Sequence, residues 1–396
     1  MKITGIIAEY NPFHNGHKYM IDKFKENGTG IVVIISSSFV QRGEPAIIDK
    51  WLRARSAIEA GVDLVIELPY YYSVAPAEIF ADGAVKFLDY MGVDFLCFGS
   101  EGGNISILKK LGEISSKIER NDSEILSLLK NGLSFSEARI EVIKNRASDN
   151  IDKKTLDNTF AGSNNILAIE YISSLEKLNS KIKPVAINRI GDDYSESEIK
   201  TINPSATAIR NMLLNGKLKE TKPYLPIESY TSLLEHIEIN LKFNSLNRYE
   251  ELIFYLLDNL TIKELNSINF SNSDVINRLL KFRKDSSNLE ELLNLSRAKS
   301  ISESEIKRYL CNLLNNLTWD KFEKLNKEQP SIRVLAMNEN GIKILKSIKE
   351  KNIVTKFKDF ESLPQLIYES VATNNYFLTL NKKRDLDYYY SPIIIN

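Results

Sequence analysis

The stretch that most limits what this chain can become is Ile6-Ile7-Ala8-Glu9-Tyr10-Asn11-Pro12-Phe13-His14-Asn15-Gly16-His17. The apolar run Ile3 to Ala8 predicts a buried first strand, and Pro12 and Gly16 break regular structure after it. Tyr19, Met20 and Phe24 then fall at helical spacing, so a helix is expected to begin near His17. The order strand, tight loop, helix start leaves main-chain N–H groups unpaired and points the positive end of the helix dipole at the loop. Such a place suits phosphate. His14 and His17 would both reach into it, and the chain has only three histidines. A helix cap is the plainer reading of a lone histidine. The H-x-G-H order straight after a first strand favours work on a phosphate.

Strand and helix signals alternate from there. Strands are expected at 30–35, 63–69 and 93–98, with helices at 51–60 and 78–90 between them. Residues 36–46 read as a loop by their Ser, Gly and Pro content. Short links of this kind imply a parallel sheet with helices on both faces, which binds ligands at the carboxyl ends of its strands. The His14/His17 loop and the turn at Gly99 lie at such ends. Helical patterning follows over 105–144, and 149–159 reads as a polar loop. Ser163 is the expected N-cap of a helix that carries Asn164. A fifth strand is expected at 184–187, with Arg189 just past it, followed by a polar loop over 192–203. Ser205-Ala206-Thr207-Ala208-Ile209-Arg210 then opens a further helix. Ser and Thr at a helix start with Arg one turn on form a second phosphate cradle.

After about residue 225 the texture becomes Leu-, Asn-, Lys- and Glu-rich with helical periodicity. Residues 331–338 are the one expected strand and turn in that half. Two domains follow: 1–225, α/β, and 226–396, mainly α-helical. Arg297, Lys299, Lys307 and Arg308 form a local basic cluster in the second. Lys+Arg and Asp+Glu both total 52, so net charge gives no hint of a nucleic-acid partner and any basic surface must be local. Cys97 and Cys311 lie far apart without metal-type spacing and read as free thiols in a reducing compartment. There is no secretory signal pattern and no apolar run near the roughly 20 residues of a membrane span. The expected location is the cytoplasm, with no membrane and no protein partner implied.

With these residues in view, the chain resembles the bacterial tRNA(Met) cytidine acetate ligases, within the H-x-G-H nucleotidyltransferase superfamily. The resemblance runs through Glu9 to His17, Gln41-Arg42-Gly43-Glu44-Pro45-Ala46, Lys50-Trp51, Asp63 to Pro69, Phe98-Gly99-Ser100-Glu101 and Ser163-Asn164-Asn165-Ile166-Leu167. It is strong over roughly the first 215 residues and loose beyond. Ser37, where a Gly is usual, and Met20, where a His is common, depart from the pattern, as does the presence of Glu303 and Glu305 inside the basic stretch. The resemblance implies a Rossmann-like nucleotidyltransferase domain that uses ATP as substrate. Acetate attacks the α-phosphate, and the wobble cytidine N4 of elongator tRNA(Met) takes the acetyl group to give N4-acetylcytidine. His14 and His17 would be catalytic. ATP would be bound by Ile7, Ala8, Glu9, Tyr10, Asn11, Pro12, Phe13, Asn15, Gly16, Lys18, Tyr19 and Met20 together with the histidines, and by Gly99, Asn164 and Arg189 on the adenosine side. Ser205, Thr207 and Arg210 would hold the pyrophosphate, and the four basic residues would hold tRNA. No protein-bound metal is expected; Mg²⁺ would arrive with the nucleotide. Arg42, Arg53 and Arg55 are further rim candidates for RNA. Two other readings stand beside this one: a small-molecule adenylyltransferase, against which the long helical half argues, and a non-catalytic RNA-binding protein on a decayed nucleotide fold, against which the intact H-x-G-H argues.

Overall fold

The structure, a computed structural model, describes residues 1–25, 28–102, 104–188, 204–348, 352–360, 362–381 and 383–395. Its centre is an eight-stranded sheet. The strands are β1 (Ile3–Ala8), β2 (Gly30–Ser36), β5 (Leu64–Leu68), β6 (Phe95–Ser100), β7 (Lys183–Asn188), β8 (Ser331–Asn338), β9 (Asn352–Val354) and β10 (Ile393–Ile395). Their order is β10-β8-β5-β2-β1-β6-β7, with β9 paired to β8. β1 is an interior strand, parallel to β2 on one side and to β6 on the other, so that Ile6 is paired with Val33 and Cys97. All seven residues of β2 and all five of β5 are buried. That is why these strands read as near-continuous apolar runs, broken in β5 only by Glu67: both of their faces are covered.

Two features were not expected. Residues 36–46 hold a small hairpin, β3 (Phe39–Val40) against β4 (Glu44–Pro45), in place of a plain loop. Residues 149–159 hold most of a helix, Lys153–Ala161, whose first turn is capped by the Asp152 side chain. Polar composition hid that helix because its buried face is only Leu156, Thr159 and Phe160.

The sheet also runs across the boundary expected at residue 225. β8 enters antiparallel to β5, with Val65 opposite Ala336, and β9 and β10 add to β8. Strand signals in the second half are therefore three, not one. Between the two visits the chain is helical. The helix Ile227–Asn240 packs on Lys50–Glu59, and Glu303–Leu314 packs on the β3–β4 hairpin.

A buried charge knot joins the return segment to the first half. Lys50 and Glu67 are fully buried, with Lys50 Nζ 2.6 Å from Glu67, 2.9 Å from Asp387 and 3.7 Å from Glu369. Lys50 also donates to Thr373 Oγ1 at 3.0 Å. Burial alone would pull the Lys50 pKa down, but Asp387, Glu67 and Glu369 together hold it above the ordinary lysine value. Trp51, next along, stacks on Tyr390 at 4.4 Å. Thus Lys50-Trp51 and the Glu of the β5 run, two strings that carry the family resemblance, act as structural anchors for residues 364–390.

Candidate nucleotide site

The helix after β1 is Asn15–Lys25, so the H-x-G-H string sits on its first turn and on the loop before it. His14 N–H donates to His17 Nδ1 at 3.2 Å, and Gly16 N–H donates to His14 Nδ1 at 3.1 Å. The rings stack with centroids 3.7 Å apart. Each Nδ1 therefore acts as an acceptor, and in the neutral ring the proton must sit on Nε2. The loop itself sets two Nε2–H donors. Gly16 makes the packing possible: a Cβ there would lie 3.0 Å from the His14 ring.

These residues line a cavity of about 340 Å³ at the carboxyl ends of β1 and β6, within the usual range for a small-molecule site. Its walls divide by chemistry. Phe98, Leu167, Tyr171 and Ile187 make an apolar slot flanked by Gly99, Asn164 and Asn188. On the other side lie Glu9, Tyr10, Asn11, Gln41, the histidines and Ala206. Tyr10 Oη and Asn11 Nδ2 are buried there with no hydrogen-bond partner among the described residues. Arg53 is fully buried and ties the ends of β1 and β2 together, donating to the carbonyl oxygens of Glu9 (2.7 Å), Ser36 (2.9 Å) and Ser37.

Asn164 and Asn165 are held from behind. The Glu101 carboxylate accepts the main-chain N–H groups of Asn164 (3.3 Å) and Asn165 (3.1 Å), and Asn164 Nδ2 donates to it as well. Ser163 was the expected cap. The N-cap is in fact Gly162 with no side-chain bond of its own, and Glu101 reaches over to cap the helix Ser163–Lys177. A cap from 63 residues away cannot be read from local spacing.

The second cradle is docked onto the first. Ser205 caps the helix Ala206–Leu214, its Oγ accepting Ala208 N–H at 3.2 Å. Arg210 is buried; it donates to the Asn11 carbonyl at 2.9 Å and to Thr207 Oγ1 at 3.1 Å. Arg210 also lies 3.9 Å from Glu44, which pairs with Lys307 at 2.5 Å. Burial would raise the Glu44 carboxyl, but Lys307 and Arg210 hold it below the ordinary glutamate value.

This geometry is shared with known proteins. Residues 1–388 match the HIGH Nucleotidyl Transferase family. A tRNA(Met) cytidine acetate ligase of Clostridium perfringens is 40% identical over 408 residues, covering 100% of both chains. The chain belongs to the tRNA(Met) cytidine acetate ligase family. Other members of this ligase family are 37% identical in Clostridium botulinum, covering 100% of this chain and 99% of the relative, and 39% in a Thermoanaerobacter species, covering 91% and 90%. The crystal structure of Thermotoga maritima TmcAL in its apo form matches with a TM-score of 0.93 at 28% identity, with all of both chains covered. The TmcAL structure bound with alpha-thio ATP matches at 0.91, also at 28% identity and full coverage.

Of the residues expected to bind ATP in this family member, Ile7 to Asn11, His14 to His17, Tyr19, Met20, Gly99 and Asn164 line the cavity. Pro12, Phe13 and Lys18 do not: Phe13 is buried against Tyr10, and Lys18 pairs with Asp22. Arg189 lies outside the described residues, as does the expected loop at 192–203. Gln41, Phe80, Phe98, Leu167, Tyr171, Ile187, Asn188 and Ala206 also line it and were not singled out. Phe98 and Leu167 stood inside quoted strings; Phe80 and Tyr171 carried no signal beyond apolar helix positions.

The basic cluster splits. Arg297 and Lys299 are exposed, and Arg297 pairs with Glu303. Lys307 bridges Glu44 and Glu303. Arg308 is half-buried, and burial pulls its pKa down to about 10. Its main chain presses on Gly43 (φ +79°), where a Cβ would lie 2.2 Å from the Arg308 nitrogen. The rim arginines differ too: Arg53 is the buried tie described above, and Arg55 pairs with Glu235. Cys97 and Cys311 are buried free thiols. Among the described residues no group of three His, Cys, Asp or Glu could hold a metal ion, and no helix is long and apolar enough to cross a membrane.

Proposed function

We propose that this protein joins acetate to the N4 amine of the wobble cytidine of elongator tRNA(Met), using ATP and passing through acetyl-adenylate. The observation that carries this reading is the pair of histidines with tautomers set for Nε2–H donation, at a helix start on a cavity of about 340 Å³ that is also lined by Phe98, Leu167 and Tyr171, in a chain aligned end to end with ligases of that name.

Acetate is already ionised at neutral pH, so its attack on the α-phosphorus needs no general base. What it needs is positioning and charge stabilisation. His14 and His17 donate to the phosphate oxygens, the helix dipole adds to them, and Arg210 holds the departing pyrophosphate while bracing Asn11. The apolar lining residues Phe98, Leu167 and Tyr171, with Asn164 beside them, would receive the adenine. Among the described residues no carboxylate cage stands ready for a metal, so Mg²⁺ would arrive with ATP. Residues before about 225 carry activation; the helical segment places the tRNA, with Arg297 and Lys299 on its exposed face.

The test is incubation with ATP, labelled acetate and total bacterial tRNA, followed by nucleoside analysis. Label in N4-acetylcytidine is the expected result. Pyrophosphate release that requires a phosphorylated small molecule and ignores acetate would select an adenylyltransferase instead. Absence of any acyl-adenylate with tRNA still bound would select the RNA-binding reading.

A further inference from the structure

We propose that Glu9 is the proton acceptor of the second half-reaction, the attack of cytidine N4 on acetyl-adenylate. The proposal rests on the function given above. It starts from a chemical gap. The histidines, the helix start and Arg210 all serve charge at phosphorus, and none of them answers the need of the second step. The exocyclic amine of cytosine is a poor nucleophile, because its lone pair is delocalised into the ring. When N4 attacks the acetyl carbonyl carbon, the C–N bond forms and the C–O bond of the mixed anhydride breaks. AMP leaves with the electron pair, and N4 must give up a proton to a base.

Glu9 lines the cavity in the same loop as the histidines, whereas the apolar lining residues Phe98 and Ile187 come from β6 and β7. It follows directly on β1. Its main-chain oxygen is fixed by Arg53 at 2.7 Å. Its Oε1 accepts Gln41 N–H at 2.9 Å. Its Oε2 has no hydrogen-bond partner among the described residues and keeps some exposure. That oxygen therefore opens onto the cavity, aimed by the bond that its twin makes. One oxygen anchored and one presented is the geometry a general base requires. The charged groups that face Glu9 are Arg210 from the helix Ala206–Leu214, Arg42 from the hairpin and Arg53 from the helix Lys50–Glu59; His14 and His17 share its cavity. Burial pushes the carboxyl above the ordinary glutamate value, and these arginines with the Gln41 bond offset only part of the push. A carboxylate so placed is a stronger base than one in water.

A purely structural Glu9 would hold the hairpin for both half-reactions alike, so the experiment separates them. Acetate-dependent pyrophosphate release reads the first. Single-turnover transfer from preformed acetyl-adenylate to tRNA reads the second, from pH 5 to 8. Glu9→Gln keeps an oxygen to accept Gln41 N–H. It should slow transfer by about 10²–10⁴ and slow pyrophosphate release at least tenfold less. The wild-type transfer rate should fall as pH drops through the Glu9 ionisation, because only the carboxylate accepts a proton. Glu9→Gln should lose that acid limb. Glu9→Asp should be slower than wild type but retain the limb, which keeps the test decisive if Glu9→Gln folds poorly. Equal loss in both half-reactions, transfer as fast as wild type, or an acid limb that survives in Glu9→Gln would overturn the role of Glu9 alone. A flat profile in Glu9→Asp would do the same. Failure of the wild-type protein to make N4-acetylcytidine would instead remove the function on which the proposal rests.

Discussion

The His14/His17 loop and the Lys50 knot are both built from polar residues in strings that carry the family resemblance, and they are built in opposite senses. In the loop, the histidine rings accept hydrogen bonds from their own main chain and line a cavity. In the knot, the charges are spent on one another: Lys50 faces Glu67, Asp387 and Glu369 with almost no exposure. A motif string is thus no guide to its own role. What separates a site from a staple is whether its polar atoms face a cavity or a partner. Changes in the loop should cost rate and little stability. Changes in the knot should cost stability and, through it, everything.

The largest expected effect is in the knot. Lys50→Met removes the ammonium from among three buried carboxylates and should destabilise the fold by about 3–5 kcal/mol, read by chemical denaturation. The deficit should shrink as pH falls from 8 to 5. Burial and Glu67 already raise the Glu369 carboxyl well above its ordinary value in the intact knot. A group whose folded-state pKa is raised favours the folded state at low pH and loses that advantage as pH rises. An unchanged midpoint of unfolding would show that the knot is ornamental.

Next comes the loop. His14→Ala and His17→Ala should each slow acetate-dependent pyrophosphate release by about 10²–10³, the size expected for loss of one oxyanion donor. Their unfolding curves should match the wild type. A large loss of stability in either would erase the contrast with Lys50.

Arg210 sits between the two types: it braces Asn11, a cavity residue, yet does not itself line the cavity, and a hold on pyrophosphate is the role proposed for it. Arg210→Ala should weaken ATP about tenfold, in line with loss of a charge-assisted bond, and weaken AMP much less. Equal weakening of both would make Arg210 a brace only.

The smallest effect belongs to the exposed pair. Arg297→Ala with Lys299→Ala should leave pyrophosphate release intact and reduce tRNA affinity, with the log–log salt slope shallower by about one per lost contact. Lys307→Ala, by contrast, should act through Glu44 and Arg210 and impair ATP binding as well. Unaltered salt dependence in the double variant would place the RNA on another surface.

What the sequence determined alone was local or periodic. The order of strand, loop and helix around His14 and His17, the buried runs of β1, β2, β5 and β6, and the helix start at Ser205 all follow from residue type and spacing, because hydrophobic period and breaker residues act over a few positions. The two histidines of the proposed phosphate site were legible there too, since they sit within one turn of a helix start. Only the tertiary structure decided which distant residues meet. It set Glu101 on the helix of Asn164, Lys307 on Glu44, Asp387 on Lys50 and β8 beside β5. A charge in a sequence has no direction. Its worth as a ligand, a cap or a buried staple depends on what chain closure puts in front of it, and that is settled by packing over hundreds of residues rather than by any local preference.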